Sequence, residues 1–199
     1  RQHGIPTPAF TLVESAEGLD ALESAQYPVF LKPVWEGSSR GIGAASYAAP
    51  PDAARRRARE LLATYEQPVL AEAYLPGEEF TVAVLGNGND AWCLPTIRFR
   101  FGDLPRGALP VMGNEAKWVW DRPEHPLEIL ECPAAIDSQL NRWIQETALA
   151  AYRALGCRDW GRVDLRLDAH GVPNVLEVNP QPGIIPEPAE NTCFPRAAA

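Results

Sequence analysis

Gly161-Arg162-Val163-Asp164-Leu165-Arg166-Leu167-Asp168, then Ala169-His170-Gly171, then Val172-Pro173-Asn174-Val175-Leu176-Glu177-Val178-Asn179, reads as a β-hairpin. In its first half the apolar residues face one way and the charged residues the other, because strand side chains alternate with period two. By the same alternation Glu177 and Asn179 share a face. Folding about the turn sets Asp164 roughly opposite Glu177, on strands about 5 Å apart. Two carboxylates that close repel unless one is protonated or a cation lies between them. Asp, Glu and Asn offer hard oxygen ligands, suited to Mg²⁺ or Mn²⁺ held together with substrate phosphates. Two other readings stay open on spacing alone. Arg162 and Arg166 would pair with the acids on a solvated face, or the two carboxylates would act as an acid/base pair of the glycosidase kind, although nothing else here resembles a sugar cleft.

Upstream, Pro8–Val13, Tyr27–Pro33 and Val69–Tyr74 read as strands, with a helical turn or two over Gly18–Ser24 and a return strand over Ile42–Tyr47. A helix is expected over Ala53–Tyr65, with Asp52 at its N-terminus and Arg55, Arg56, Arg57 and Arg59 on a wet face. Glu79–Leu85 and Ala91–Phe99 form β runs joined by the turn-rich Gly86-Asn87-Gly88-Asn89-Asp90. Periodicity fades from Gly102 to Pro126, as in a lid or binding loop. Leu140, Ile144, Ala148, Ala151 and Leu155 recur at helical spacing in Ile136–Leu155. Strands with two intervening helices and no regular βαβ repetition give an α+β class.

Composition narrows the function classes. The 199 residues carry 18 Lys+Arg and 26 Asp+Glu, a net charge of −8, which disfavours unspecific nucleic-acid or anionic-membrane partners. At 46% hydrophobic and 22% charged the chain has a core and is not disordered. No apolar run approaches the roughly 20 residues of a membrane span. Cys93, Cys132, Cys157 and Cys193 form no CxxC pair, so reduced thiols in a cytoplasmic protein are expected. His3, His125 and His170 show no ligand spacing and are read as surface residues.

Two further segments carry chemistry. Lys32 ends a strand and leads into Glu36-Gly37-Ser38-Ser39-Arg40-Gly41-Ile42-Gly43, where small residues let backbone N–H groups approach a phosphate. The segment is neither a P-loop nor a dinucleotide fingerprint, since the Gly-Lys-Ser/Thr ending and the glycine spacing are both missing. In Glu72-Ala73-Tyr74-Leu75-Pro76-Gly77-Glu78-Glu79, an acidic strand end turns into the next strand, an arrangement able to read an adenine and hold a ribose.

In this order the segments resemble the D-alanine–D-alanine ligase family of ATP-grasp ligases. The resemblance rests on Phe30-Leu31-Lys32-Pro33, Glu36-Gly37-Ser38-Ser39-x-Gly41, Glu79–Leu85, Leu94-Pro95-Thr96-Ile97, Glu115-Ala116-Lys117, Cys132-Pro133-Ala134, Gly161–Asp164 and Leu176-Glu177-Val178-Asn179-x-x-Pro182-Gly183. It implies an ATP-grasp fold of two α+β subdomains whose antiparallel sheets enclose a nucleotide cleft. Residues 1–72 would be the central subdomain with the phosphate flap. Residues 73–199 would be the C-terminal subdomain, with a lid loop at about 102–126 and the metal hairpin at 161–179.

The resemblance also assigns roles. Lys32 and Lys117 are expected on the nucleotide phosphates, Glu72 on the adenine amino group, Tyr74 and Leu75 around the ring, and Glu79 on the ribose. Asp164, Glu177 and Asn179 match the ligands of two Mg²⁺ or Mn²⁺ ions, with Glu177 bridging. Arg162 and the Gly183 N–H match the groups that stabilise an oxyanion, and Glu36, Ser38 and Ser39 match the flap. The implied reaction joins two amino acids of the D-alanine type at the expense of ATP, through an acylphosphate, in cytoplasmic peptidoglycan biosynthesis. Other amino-acid or small-molecule substrates, or a non-catalytic Mg-nucleotide module, are the alternatives. A substrate domain supplied in cis or by a partner in trans, and a homodimer of the whole protein, also follow from the family. Three positions depart from its pattern: the chain opens at Arg1 without the N-terminal domain, Trp118 replaces a lid tyrosine, and Ile184–Thr192 is long and Pro-rich, with Thr192 as counterpart of a substrate-binding serine.

Overall fold

The computed structural model describes residues 3–114, 119–120, 128–185 and 192–199. Two compact units share the chain: Pro8–Tyr74 with Leu104–Asp121, and Arg1–Thr7 with Leu75–Asp103 and Arg122–Ala199. The chain passes between them at Tyr74 and Leu75, two residues beyond the expected division, and its first seven residues go with the C-terminal unit.

The unit containing Pro8–Tyr74 is a four-stranded antiparallel sheet backed by helix. Its strands are β1 (Phe10–Val13), β2 (Val29–Pro33), β3 (Tyr47–Ala48) and β4 (Val69–Ala73), in the order β1-β4-β2-β3. Helix α1 (Pro51–Tyr65) and a 3-10 segment (Ala16–Ser24) cover one face. Val29 and Leu31 of β2 alternate into that face against Ala54, Ala58 and Leu61 of α1, all buried. Phe30 and Lys32 therefore point to the other face.

Two local readings are corrected here. The return strand over Ile42–Tyr47 is a 3-10 turn (Ala44–Ser46) followed by only two strand residues. The Ser46 hydroxyl accepts from Gly43 N–H and donates to the Gly41 carbonyl, closing a turn where an extended run was expected. At the start of α1, Pro50 takes the capping position and Pro51 the first helical one, leaving Asp52 in the first turn.

The other unit is a six-stranded antiparallel sheet under one long helix. Strands β5 (Glu79–Leu85), β7 (Ile97–Phe99), β8 (Leu130–Glu131), β9 (Trp160–Leu167) and β10 (Pro173–Asn179) run in the order β10-β9-β5-β7-β8, and β6 (Trp92–Cys93) pairs with β5. The β run read over Ala91–Phe99 is broken at Leu94-Pro95-Thr96, because Pro95 has no N–H to give to a ladder. Helix α2 (Ser138–Ala154) starts where Asp137 Oδ1 accepts from Gln139 and Leu140 N–H, each at 2.9 Å. Its apolar stripe, Ile144, Ala148, Ala151 and Tyr152, packs on Phe80, Val82, Val163 and Leu165. Gly161 is required beneath this helix, since a Cβ there would stand 2.8 Å from the Tyr152 ring. A short helix, α3 (Cys193–Ala198), ends the chain.

With α2 on one face, period two sends Glu79, Thr81, Arg162, Asp164 and Arg166 to the other. Among the described residues no helix is long and apolar enough to cross a membrane. No disulfide joins Cys93, Cys132, Cys157 or Cys193. Burial in β6 pushes the Cys93 thiol from 9.0 up to about 12, so the folded chain keeps a proton that the unfolded chain releases. This contribution is complete below the unfolded value and is lost as pH rises, so we predict a fall in folding stability between about pH 9 and 12. Denaturant unfolding across that range, repeated on Cys93→Ala, will show a shallower fall in the variant; identical slopes would contradict the assignment.

Candidate functional site

The hairpin of β9 and β10 is out of simple register by one residue. Val175 pairs with Leu165, but Glu177 pairs with Asp164, so Leu176 is the extra residue of a β-bulge. Unbroken alternation would place Leu176 opposite Asp164. The bulge reverses the parity of β10, which brings Glu177 opposite Asp164 and Asn179 opposite Arg162. Strand β5 lies along the other edge of β9 and adds Thr81 opposite Asp164 and Glu79 opposite Arg166.

These side chains meet. Arg162 Nε and Nη2 donate to Asp164 Oδ1 and Oδ2, both at 2.9 Å, a bidentate pair. The same Nη2 lies 3.8 Å from Glu177 Oε1. Thr81 Oγ1 donates to Asp164 Oδ1 at 2.5 Å, and Asn179 Nδ2 donates to Glu177 Oε1 at 2.9 Å and Asp164 Oδ2 at 3.3 Å. Burial would raise the Asp164 carboxyl, but the charge and hydrogen bonds of Arg162, with Thr81, hold it below the usual aspartate range. Glu177 goes the other way: burial and the Asp164 charge both push its carboxyl up. Burial disfavours the Arg162 charge, yet Asp164 outweighs this and raises the guanidinium pKa. One guanidinium thus serves two carboxylates, whose oxygens are hard donors.

Among the described residues no three His, Cys, Asp or Glu side chains form a metal cluster. The donor set here is two carboxylates and one side-chain amide, which still suits an oxygen-seeking divalent cation.

The remaining residues read from sequence fall as follows. Glu79 is buried and its Oε2 accepts from Arg166 Nη1 at 2.8 Å, while Arg166 Nε donates to the Leu75 carbonyl at 2.7 Å. Gly183 is exposed, and a Cβ on it would stand 3.1 Å from Thr192 Cγ2. Thr192 Oγ1 donates to the Ile185 carbonyl at 2.5 Å. In the other unit, Lys32 Nζ lies 2.6 Å from Glu72 Oε2, so the residues expected at opposite ends of a nucleotide are an ion pair on the face away from α1. Tyr74 stands edge-on to Tyr47, ring centroids 5.0 Å apart.

The flap turns through Ser38, Ser39 and Gly41 with φ of 55°, 61° and 74°, so two serines hold the left-handed conformation. Ser39 Oγ donates to the Met112 carbonyl at 2.7 Å, and Glu36 accepts from Gln67 Nε2 at 3.0 Å. Lys117, Trp118 and His125 lie outside the described residues, as does most of the Ile184–Thr192 segment.

Sequence reading missed Thr81 and Gln67, and it paired Arg166 with the acids of the hairpin where the structure pairs it with Glu79. Thr81 and Arg166 carry the same period-two signal as Arg162 and Asp164. Arg57, read as part of a wet face, donates Nη2 to the Gly41 carbonyl at 2.9 Å and so supports the flap.

The family model for the D-ala D-ala ligase C-terminus matches residues 1–198. The D-alanine–D-alanine ligase of Bordetella avium is 36% identical over 187 residues, which cover 92% of this chain and 53% of that protein. The corresponding ligase of Marinomonas sp. is 39% identical over 182 residues, 91% of this chain and 52% of that one. The chain therefore spans about half the length of the curated relatives it matches. Among solved structures, a D-alanine–D-alanine ligase from Bacillus anthracis complexed with ATP superposes with a TM-score of 0.69 at 22% identity, over 100% of this chain and 56% of that one. The VanG D-Ala:D-Ser ligase from Enterococcus faecalis superposes with a TM-score of 0.68 at 25% identity, over 98% and 52%. The fold is ATP-grasp, α+β with two antiparallel sheets.

The Thr81 hydroxyl helps keep Asp164 ionised, which gives a stability test. We predict that Thr81→Val costs about 1.5–3 kcal/mol at neutral pH, the range for a hydrogen bond to a charged group. A carboxyl depressed by folding contributes stability that is lost as pH falls through its folded value, so the penalty will shrink as pH falls below the ordinary aspartate value of 3.8. Urea unfolding at both pH values measures it, and an equal penalty at both would contradict the role of Thr81.

Proposed function

The chain belongs to the D-ala D-ala ligase C-terminal family, and from that membership we propose that it is the nucleotide- and metal-binding part of an ATP-dependent carboxylate–amine ligase. The observation that supports this most directly is the cross-strand group of Asp164, Glu177, Asn179 and Arg162 on one face of the β9–β10 hairpin. Asp164, Glu177 and Asn179 would hold Mg²⁺ or Mn²⁺, in a site where two ions are expected. When bound, the metal neutralises phosphoryl oxygens as a Lewis acid.

In this reading Lys32 and the described part of the flap, Glu36, Ser38 and Ser39, hold the phosphates, with Lys117 as a second cation. Glu72, Tyr74 and Leu75 receive the adenine, and Glu79 the ribose. A substrate carboxylate attacks the γ-phosphorus of ATP, forming an acylphosphate and releasing ADP. A second substrate's free amine then attacks the acyl carbon, phosphate leaves, and an amide remains. Arg162 and the Gly183 N–H face the negative charge that develops on the carbonyl oxygen, where a fixed donor is most effective. Arg162 starts from its pair with Asp164, so its second task depends on sharing that carboxylate. The substrates are two amino acids of the D-alanine type, the pair that the relatives' name gives as joined. Their remaining contacts come from the part of the relatives' length that this chain does not span.

Glu177→Gln separates catalysis from folding. It removes a charge that repels Asp164, so thermal stability is expected to be equal or higher. Mg²⁺-dependent ADP release with D-alanine is expected to fall by at least about 100-fold, since even indirect supports of a metal ligand cost up to that much. ADP release and melting temperature, measured on the same preparations, decide it; unchanged turnover would remove Glu177 from the metal site.

A further inference from the structure

Arg166 is 4% exposed and belongs to no part of the proposed chemistry. It lies one cross-strand row along β9 from Asp164, on the same face. Its guanidinium joins two groups that the chain presents from different places: Nη1 donates to Glu79 Oε2 at 2.8 Å, and Nε donates to the Leu75 carbonyl at 2.7 Å. Glu79 opens β5, and Leu75 precedes the Pro76-Gly77 turn that leads into it. The same turn is fixed to β9 by a Gly77 N–H to Leu167 carbonyl bond of 3.0 Å, and a Cβ on Gly77 would stand 2.6 Å from that carbonyl oxygen. Backbone and guanidinium thus set one geometry for the Leu75–Glu79 corner.

A buried carboxylate left without a partner takes up a proton or turns away. With Arg166 Nη1 on its Oε2, the Glu79 carboxylate is held in one direction. The planar fork spans a carboxylate and a carbonyl simultaneously, which a lysine ammonium on a flexible stem does not reproduce.

We infer that Arg166 is a positioning residue for the nucleotide, orienting Glu79 toward the ribose hydroxyls. The inference rests on the ATP-binding reading above and adds to it a residue that touches no reacting atom. It implies that Arg166 governs discrimination between ribose and its deoxy forms, because only the hydroxyls report the direction of the Glu79 carboxylate.

The test compares wild type, Arg166→Lys, Arg166→Met and Glu79→Gln by calorimetric titration of the purified protein with ADP and with 2′,3′-dideoxy-ADP, both with Mg²⁺, beside thermal melts. The wild type is expected to favour ADP by about tenfold or more, the size of one charge-assisted hydrogen bond. Arg166→Lys keeps a cation beside Glu79 and is expected to fold. Its preference for ADP is expected to drop to within about threefold of unity, as in Glu79→Gln, while affinity for the dideoxy nucleotide stays within about twofold of wild type. A folded Arg166→Lys that keeps the full preference would overturn the inference, leaving Arg166 a purely structural ion pair. Arg166→Met, which strands the Glu79 charge, is expected to melt lower and show the same lost preference in whatever fraction folds. Failure of the wild type to bind either nucleotide would refute the ATP-binding reading itself, an outcome distinct from unchanged discrimination.

Discussion

The arrangement of this site depends on one surplus residue in a strand. Leu176 sits as a bulge between Val175, opposite Leu165, and Glu177, opposite Asp164. Without it, period two would put an apolar side chain across from Asp164 and send Glu177 and Asn179 into the layer beneath α2. With it, two carboxylates stand directly opposite each other, an arrangement that costs energy unless positive charge is supplied. Arg162 supplies it from two residues away on the same strand and, against burial, holds the Asp164 carboxyl below its usual range, while burial and the Asp164 charge push the Glu177 carboxyl up.

The rest of the sheet follows from the two faces so defined. Phe80, Val82, Val163 and Leu165 fill the layer under α2, where Gly161 lets the Tyr152 ring approach the strand closely. On the other face polar rows run across β5, β9 and β10: Glu79 with Arg166, then Thr81 with Asp164 and Glu177, then Arg162 with Asn179. Each acid in the first two rows has an arginine within reach. A divalent cation brought to Asp164 and Glu177 must therefore compete with Arg162, and that competition would couple the carboxylates proposed to hold a metal to the donor proposed for the oxyanion. In the other unit Lys32 and Glu72 are similarly paired, so each acts on a nucleotide only by giving up or sharing the other.

Much of this was legible in the amino-acid order. The hairpin, its acidic pair, the Gly/Ser flap and the strands on either side all have local signatures: alternation, turn residues, short apolar runs. Strict alternation from the Ala169–Gly171 turn pairs Asp164 with Leu176, so the opposition of Asp164 and Glu177 was only approximate until the bulge fixed it. What was not legible is long-range. Arg166 reaching Leu75, Arg57 reaching Gly41 and Gln67 reaching Glu36 join segments 91, 16 and 31 residues apart, and no periodicity encodes such partners. The broken strand at Pro95 was a local signal overlooked, since a residue with no N–H inside a β run marks an interruption.

In the function we propose, the bulged hairpin makes a divalent-cation site which serves a nucleotide. Calorimetric titration of the purified protein with ADP, once with Mg²⁺ and once with a chelator, addresses it without requiring any amino-acid substrate. Binding of one ADP per chain is expected to strengthen at least tenfold with Mg²⁺. Binding of equal strength in both conditions would contradict it, because the acidic row of Asp164 and Glu177 would then have no part in holding the nucleotide.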